Sequence, residues 1–115
     1  MPFRALVTKE LAEFLGVLSH PHRIRIIEEL RRGELDVNSL QNALGISHSG
    51  VSQHLMVMRA NRLVYERREG RRVYYQLRHP RMAQWLLEAT NFLERETVEA
   101  DELRRAIGKT RKTWA

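Results

Sequence analysis

The 115-residue sequence predicts a mainly α-helical fold that carries a single two-stranded β-hairpin. Three observations support this. Apolar residues recur at helical spacing through most of the chain. The spacing drops to period two only over residues 63–68 and 72–78. Gly and Pro fall singly, at the joints between these stretches.

Leu6, Leu11, Phe14, Leu15 and Leu18 share one stripe of a first helix over about residues 5–18. His20-Pro21 restarts the chain, and Pro21 suits the first helical position because a helix start leaves its N–H unpaired anyway. The second helix places Ile24, Ile27 and Leu30 at core spacing and stops at Gly33, expected as a left-handed cap. Asp36 is the N-cap expected for a short third helix, VNSLQNAL, with Leu40 and Leu44 inward. Gly45 ends it, Ile46 tucks back, and Ser47 caps a fourth helix. There Val51, Leu55 and Met58 form the buried stripe at i, i+4 and i+7. His48, Ser49, Ser52, Gln53 and Met56 are left facing solvent. Asn61, which tolerates the left-handed conformation, is the expected helix end.

In the hairpin, Val73, Tyr75 and Leu77 share one face and Arg72, Tyr74 and Gln76 the other, with Glu69-Gly70 as the tight turn. Two strands alone are marginal in water, so the hairpin must lean on the helices. Beyond Pro80, Met82, Leu86, Ala89, Leu93, Ala100, Leu103 and Ile107 keep to one side, flanked by Trp85 and Phe92. This reads as one long helix, or two with a break near residues 94–97. Gly108 is its expected end and KTRKTWA a loose tail.

The net charge is +6, and its placement says more than its size. Residues 59–72 hold six arginines against two glutamates, a balance of +4. Residues 101–115 hold five basic side chains against two acidic ones, a balance of +3, which leaves −1 for the rest. Two short segments therefore carry the whole positive field, and that points to an anionic partner, nucleic acid first. There is no cysteine, which removes disulfides and thiolate metal sites together. No Gly-rich phosphate loop, paired catalytic carboxylates or nucleophile–base motif is present, so no catalytic residue, enzyme activity or cofactor is expected. The N-terminus lacks the apolar stretch of a signal peptide and no run can span a bilayer. The expectation is a cytoplasmic protein with no membrane partner.

A short helix, a glycine turn, a second helix with a polar outer face and an arginine-rich hairpin together make a winged helix-turn-helix. The DNA major groove admits one α-helix, and polar side chains near its start reach base edges. His48, Ser49, Ser52 and Gln53 lie on that outer face, Gln53 having the side chain suited to adenine. His54 flanks the buried stripe and reads equally as a base contact or a packing residue. Ser47 at the helix start, Arg59, the wing residues Arg67, Arg68, Arg71 and Arg72, and Tyr74 are the candidate phosphate contacts.

The runs HPHRIRIIEELRRGELDVNSLQNALG and GISHSGVSQHLMVMRANRLVYERREGRRVYYQL resemble the ArsR/SmtB transcriptional repressors over roughly residues 11–95. VSQHL and REGRRVYY are the most specific parts of that resemblance, which implies that His48, Ser49, Ser52 and Gln53 are base-reading residues, and Gly50 stands where the family often has threonine. The resemblance implies a homodimer, joined by helices from both ends of the chain, that represses a pseudo-palindromic promoter site until an unidentified effector binds. It divides the chain into a winged helix-turn-helix domain with dimerisation helices, 1–95, and a C-terminal helical extension with basic tail, 96–115. The interface then comprises Leu11, Phe14, Leu15, Met82, Trp85, Leu86, Ala89, Phe92 and Leu93.

Many relatives sense metals, but the thiolate sites need cysteine. The site on the final helix would find only His79, Glu88 and Glu94 here, with no second histidine. No metal is expected, and His20 and His22 read as a structural helix start. The alternative functions are a non-specific architectural DNA binder, or a protein-interaction module that uses the winged helix as scaffold.

Overall fold

The computed structural model describes residues 2–93 and 98–114. Its elements run α1 (Pro2–Leu18), α2 (Pro21–Glu29), a 3-10 turn (Leu30–Arg32), β1 (Leu35–Asp36), α3 (Val37–Leu44) and α4 (His48–Ala60). They continue with β2 (Val64–Glu69), β3 (Arg72–Leu77), α5 (Met82–Ala89), a second 3-10 turn (Thr90–Leu93) and α6 (Val98–Trp114). Two compact units divide after Pro80. Among the described residues no helix is long and apolar enough to cross a membrane.

In the first unit α2, α3 and α4 converge on one core. Ile26, Ile27, Leu30, Leu40, Val51, Leu55 and Met58 are almost completely buried, and Leu63, Val64 and Leu77 from the base of the hairpin join them. The α2 stripe is rotated from the sequence expectation: Ile26 faces inward, whereas Ile24 is 39% exposed. Gly33 also differs from the expected left-handed cap. Its φ of 140° and ψ of −174° lie in a region open essentially to glycine alone, which turns the chain out of the 3-10 segment into β1.

That two-residue strand has no sequence period to betray it. It pairs antiparallel with β3, Leu35 opposite Tyr75 and Asp36 opposite Tyr74, so the hairpin belongs to a three-stranded sheet ordered β1-β3-β2 with β3 at its centre. The hairpin ladder closes at Glu69 opposite Arg72. The loop is therefore Gly70-Arg71, one residue on from the expected pair, with Gly70 at φ 60° in the position where such tight turns need a positive φ. At the end of α4, Asn61 keeps a negative φ and Arg62 takes the left-handed position instead, φ 60°. The Arg62 N–H donates to the Arg59 carbonyl at 3.0 Å and the Leu63 N–H to the Met58 carbonyl at 2.9 Å. This pair of bonds is a Schellman cap, and the buried Leu63 supplies its hydrophobic contact.

In the second unit Met82, Ala83, Leu87 and Ala100 are buried. Arg111 of α6 donates to the Asn91 side-chain carbonyl and, at 3.5 Å, to the Thr90 hydroxyl, which ties α6 to the turn after α5. Gly108 does not end the final helix: α6 continues through it to Trp114, so most of the expected loose tail is helical. One interior glycine costs a helix only about 1 kcal/mol relative to alanine. The Thr110 and Thr113 hydroxyls bond back to the Ala106 and Lys109 carbonyls on either side. The break expected near residues 94–97 lies outside the described residues.

Candidate nucleic-acid interface

The turn that aims α4 is built from local chemistry. Gly45 is left-handed, φ 69° and ψ 28°, and its N–H closes α3 on the Gln41 carbonyl at 2.9 Å. Ser47 is extended and its Oγ accepts the Gly50 N–H at 3.0 Å, satisfying one of the unpaired donors of the helix start. A Cβ on Gly50 would lie 3.1 Å from that Oγ and 3.5 Å from Ile46 Cδ1, so the glycine lets the cap and the tucked isoleucine close tightly. Val51, Leu55 and Met58 are fully buried and fix the rotation of α4. His48, Ser49, Gln53 and Met56 are consequently exposed and Ser52 is half-buried, as the periodicity predicts.

Beside this face lies an open cleft of about 590 Å³ between α4, the start of α3 and the wing. His48, Ser52 and Met56 line it from α4. Arg59, Arg68, Arg71 and Arg72 face Asp36 and Glu66 across it, leaving the cleft positively charged. Glu66 organises the arginines: its side chain is only 8% exposed and bridges Arg59 and Arg68, the latter at 3.0 Å. One buried carboxylate thus joins the last turn of α4 to β2. At the loop tip Arg71 is exposed and, among the described residues, makes no ion pair.

The other face of the wing is occupied differently. Arg67 forks Glu34 through Nη2 at 2.5 Å and Nε at 3.1 Å, reaches Glu69 at 2.7 Å, and lies 4.5 Å above the Tyr74 ring. The hydrogen bonds it donates to Glu34 and then to Glu69 push its already high pKa further up, and the contact with Glu34 lowers the pKa of that carboxyl. Tyr74 beside it raises the pKa of Arg72. Two expected phosphate contacts, Arg67 and Tyr74, are therefore engaged in holding the wing together, unlike Arg71.

His54 reads from the sequence as either a base contact or a packing residue. It is half-buried behind the polar outer face of α4, and its Nδ1 accepts the Arg23 Nε–H from α2 at 3.2 Å. Its ring stands 4.4 Å from that of His20 and 5.6 Å from that of His22. Burial, then His20, Arg23 and His22, push its pKa down. Sequence reasoning missed Glu34 and Glu66 as anchors of the wing, and Asn38 in the wall of the cleft. All three act through contacts that no local period signals.

The residues expected at a dimer interface fall in both units. In the first, Leu11 and Leu15 are exposed on α1, with Phe3, Leu6 and Val7 exposed beside them, and Phe14 is half-buried. In the second, Trp85, Phe92 and Leu93 are exposed, Phe92 at 89%, while Leu86 and Ala89 are half-buried. Met82 is already buried within the single chain and offers no free surface.

A capped helix with a polar outer face, backed by a buried stripe and flanked by a basic hairpin, defines a winged helix-turn-helix protein. Residues 20–66 match the profile of the arsR family of bacterial regulatory proteins. The chain is 38% identical over 88 residues to the HTH-type transcriptional regulator NmtR of Mycobacterium tuberculosis, covering 76% of this chain and 73% of that one. It belongs to the ArsR family. It is also 45% identical over 69 residues to a transcriptional repressor SmtB homolog of Synechocystis sp., covering 60% of this chain and 52% of that one. The chain therefore spans about half the length of that curated relative. Among solved structures, the homodimeric winged helix-turn-helix DNA-binding domain of Mb0332 from Mycobacterium bovis superposes with a TM-score of 0.69. The two are 25% identical, and the match covers 81% of this chain and 86% of that one.

Proposed function

We propose that the chain is a sequence-specific DNA-binding transcriptional regulator that represses from a pseudo-palindromic site as a homodimer. The observation that carries this reading is the cleft where the polar outer face of α4 meets Arg59, Arg68, Arg71 and Arg72. In this reading α4 enters the major groove. His48, Ser49, Ser52 and Gln53 read base edges, while Ser47, the free N–H groups behind it and the cleft arginines hold the phosphates. Repression is supported by the name of the Synechocystis relative, and dimerisation by the homodimeric Mycobacterium bovis neighbour. The exposed apolar side chains of α1 and of the α5 region, Leu11, Leu15 and Trp85 among them, supply the surfaces a dimer would bury. The reading makes the chain a binder rather than an enzyme and places its work in the cytoplasm, where bacterial DNA lies.

Selection of bound duplexes from a random pool tests this. The expected result is enrichment of an inverted repeat whose half-sites lie about one helical turn, roughly 10 base pairs, apart. A pool that stays random through repeated rounds overturns the sequence-specific reading in favour of an architectural binder.

A further inference from the structure

Three imidazoles meet where the start of α2 passes behind α4. His20 and His22 flank Pro21, and His54 comes to them from the middle of α4. Each is half-buried, and one ligand nitrogen from each lies within 4.8 Å of the others. The ring centroids are 4.4, 5.1 and 5.6 Å apart. Local roles explain two of the three rings. His20 Nδ1 accepts the His22 N–H at 3.1 Å as the N-cap of α2, and His54 Nδ1 accepts from Arg23. Neither explains the third, because among the described residues the His22 ring makes no hydrogen bond.

We propose that His20, His22 and His54 form a binding site for a late first-row divalent cation, zinc foremost, joining the start of α2 to the back of α4. Imidazole nitrogen suits these ions, and three protein ligands with a fourth place left to water are the arrangement of an open zinc site. A tetrahedral ion with bonds of about 2.1 Å needs nitrogens about 3.4 Å apart. From the present spacing, within 4.8 Å, the rings must turn inward to close on an ion.

The geometry makes the site a switch rather than a clamp. A neutral ring that accepts at Nδ1 carries its proton on Nε2. If Nδ1 takes the metal, its one lone pair leaves the present donor. If Nε2 takes the metal, the proton moves to Nδ1 and the acceptor is lost. Whichever nitrogen coordinates, His20 releases the α2 cap and His54 releases Arg23. Arg23 Nη1 also holds the Val17 carbonyl near the end of α1 at 3.1 Å, so occupancy loosens the joint of α1, α2 and α4 together. That α4 then reads DNA differently rests on the function proposed above, whereas metal binding itself does not.

The test is titration of the full chain with cobalt(II), read by its visible d–d bands, followed by zinc competition. One ion per chain is expected, with a tetrahedral spectrum that zinc abolishes. His22→Ala and His54→Gln should each weaken binding by more than about tenfold. So should His20→Asn, which keeps a capping side chain, while His79→Ala binds as the unmodified chain does. Folding of each variant is checked by circular dichroism, and His22→Ala, which removes no hydrogen bond, decides the matter if His54→Gln unfolds. Absence of a tetrahedral spectrum, or equal affinity in His22→Ala and His20→Asn, overturns the site. A metal-bound chain whose DNA affinity is unchanged would retain the site and remove the switch.

Discussion

The Arg67 guanidinium forks the Glu34 carboxylate, Nε at 3.1 Å and Nη2 at 2.5 Å, on the face of the wing that it shares with Tyr74. The neighbouring Arg68 and Arg71 line the cleft instead. Four arginines that look alike in the sequence therefore divide between anchoring the wing and lining the cleft. Arg71→Ala should weaken binding to all duplexes alike and reduce the slope of log affinity against log salt by about one phosphate, ~0.9. Arg67→Ala should leave that slope unchanged and instead speed amide exchange in β2 and β3, because it removes the ties to Glu34 and Glu69. An equal loss of slope in both variants would place Arg67 on the DNA.

Gln53 is exposed on the outer face of α4, one residue before His54, which faces the other way. Gln53→Ala should relax preference at one or two base pairs, costing about 1–3 kcal/mol of discrimination there. Affinity for random DNA should stay the same. Selected sites from both proteins, sequenced side by side, check this.

Asp36 caps α3 and also sits at the mouth of the cleft. Its side chain accepts the Ser39 N–H at 2.8 Å, and hydrogen bonding at Ser39 is the largest cause of its lowered pKa. A carboxylate whose folded pKa lies below its unfolded value adds stability above the unfolded pKa. It loses that stability as pH falls through the folded one. Melting temperature should therefore drop below about pH 4, and Asp36→Asn, which can still cap, should flatten that drop. An unaltered pH profile in the variant would remove Asp36 from the acid response.

Leu11 and Leu15 stand exposed one turn apart on α1, at 53% and 45%. Replacing both with glutamate removes no buried contact from the single chain, so its fold should persist. The mass in solution should fall from dimer to monomer, and affinity for the two-half-site duplex should fall with it. Light scattering that still reports a dimer would move the interface away from α1.

Local signals carried most of what the sequence made legible. Asp36, Gly45 and Ser47 act within four residues of themselves, so the start, turn and second helix of the helix-turn-helix stand where the sequence predicts them. Val51, Leu55 and Met58 likewise needed only their spacing. What stayed hidden is non-local: β1 against β3, Arg67 on Glu34, Glu66 bridging α4 to the wing, and His54 against His20.

The end of α4 was misplaced by one residue for a subtler reason. Asn61 has the better intrinsic left-handed tolerance, yet burial of Leu63 sets the register and puts Arg62 there. Arg62→Gly should accordingly stabilise the chain, by up to about 1 kcal/mol in thermal unfolding. A loss of stability would show that the arginine side chain contributes more than its backbone strain costs.

The central claim is that α4 and the cleft beside it read sequence. Its most direct test is the affinity of the full chain for a selected inverted-repeat duplex and for a scrambled duplex of the same composition, both at physiological salt. The account predicts a dissociation constant on the order of 10⁻⁸ M or lower for the selected site, at least about a thousandfold tighter than for the scramble. Equal affinity for the two duplexes would contradict it.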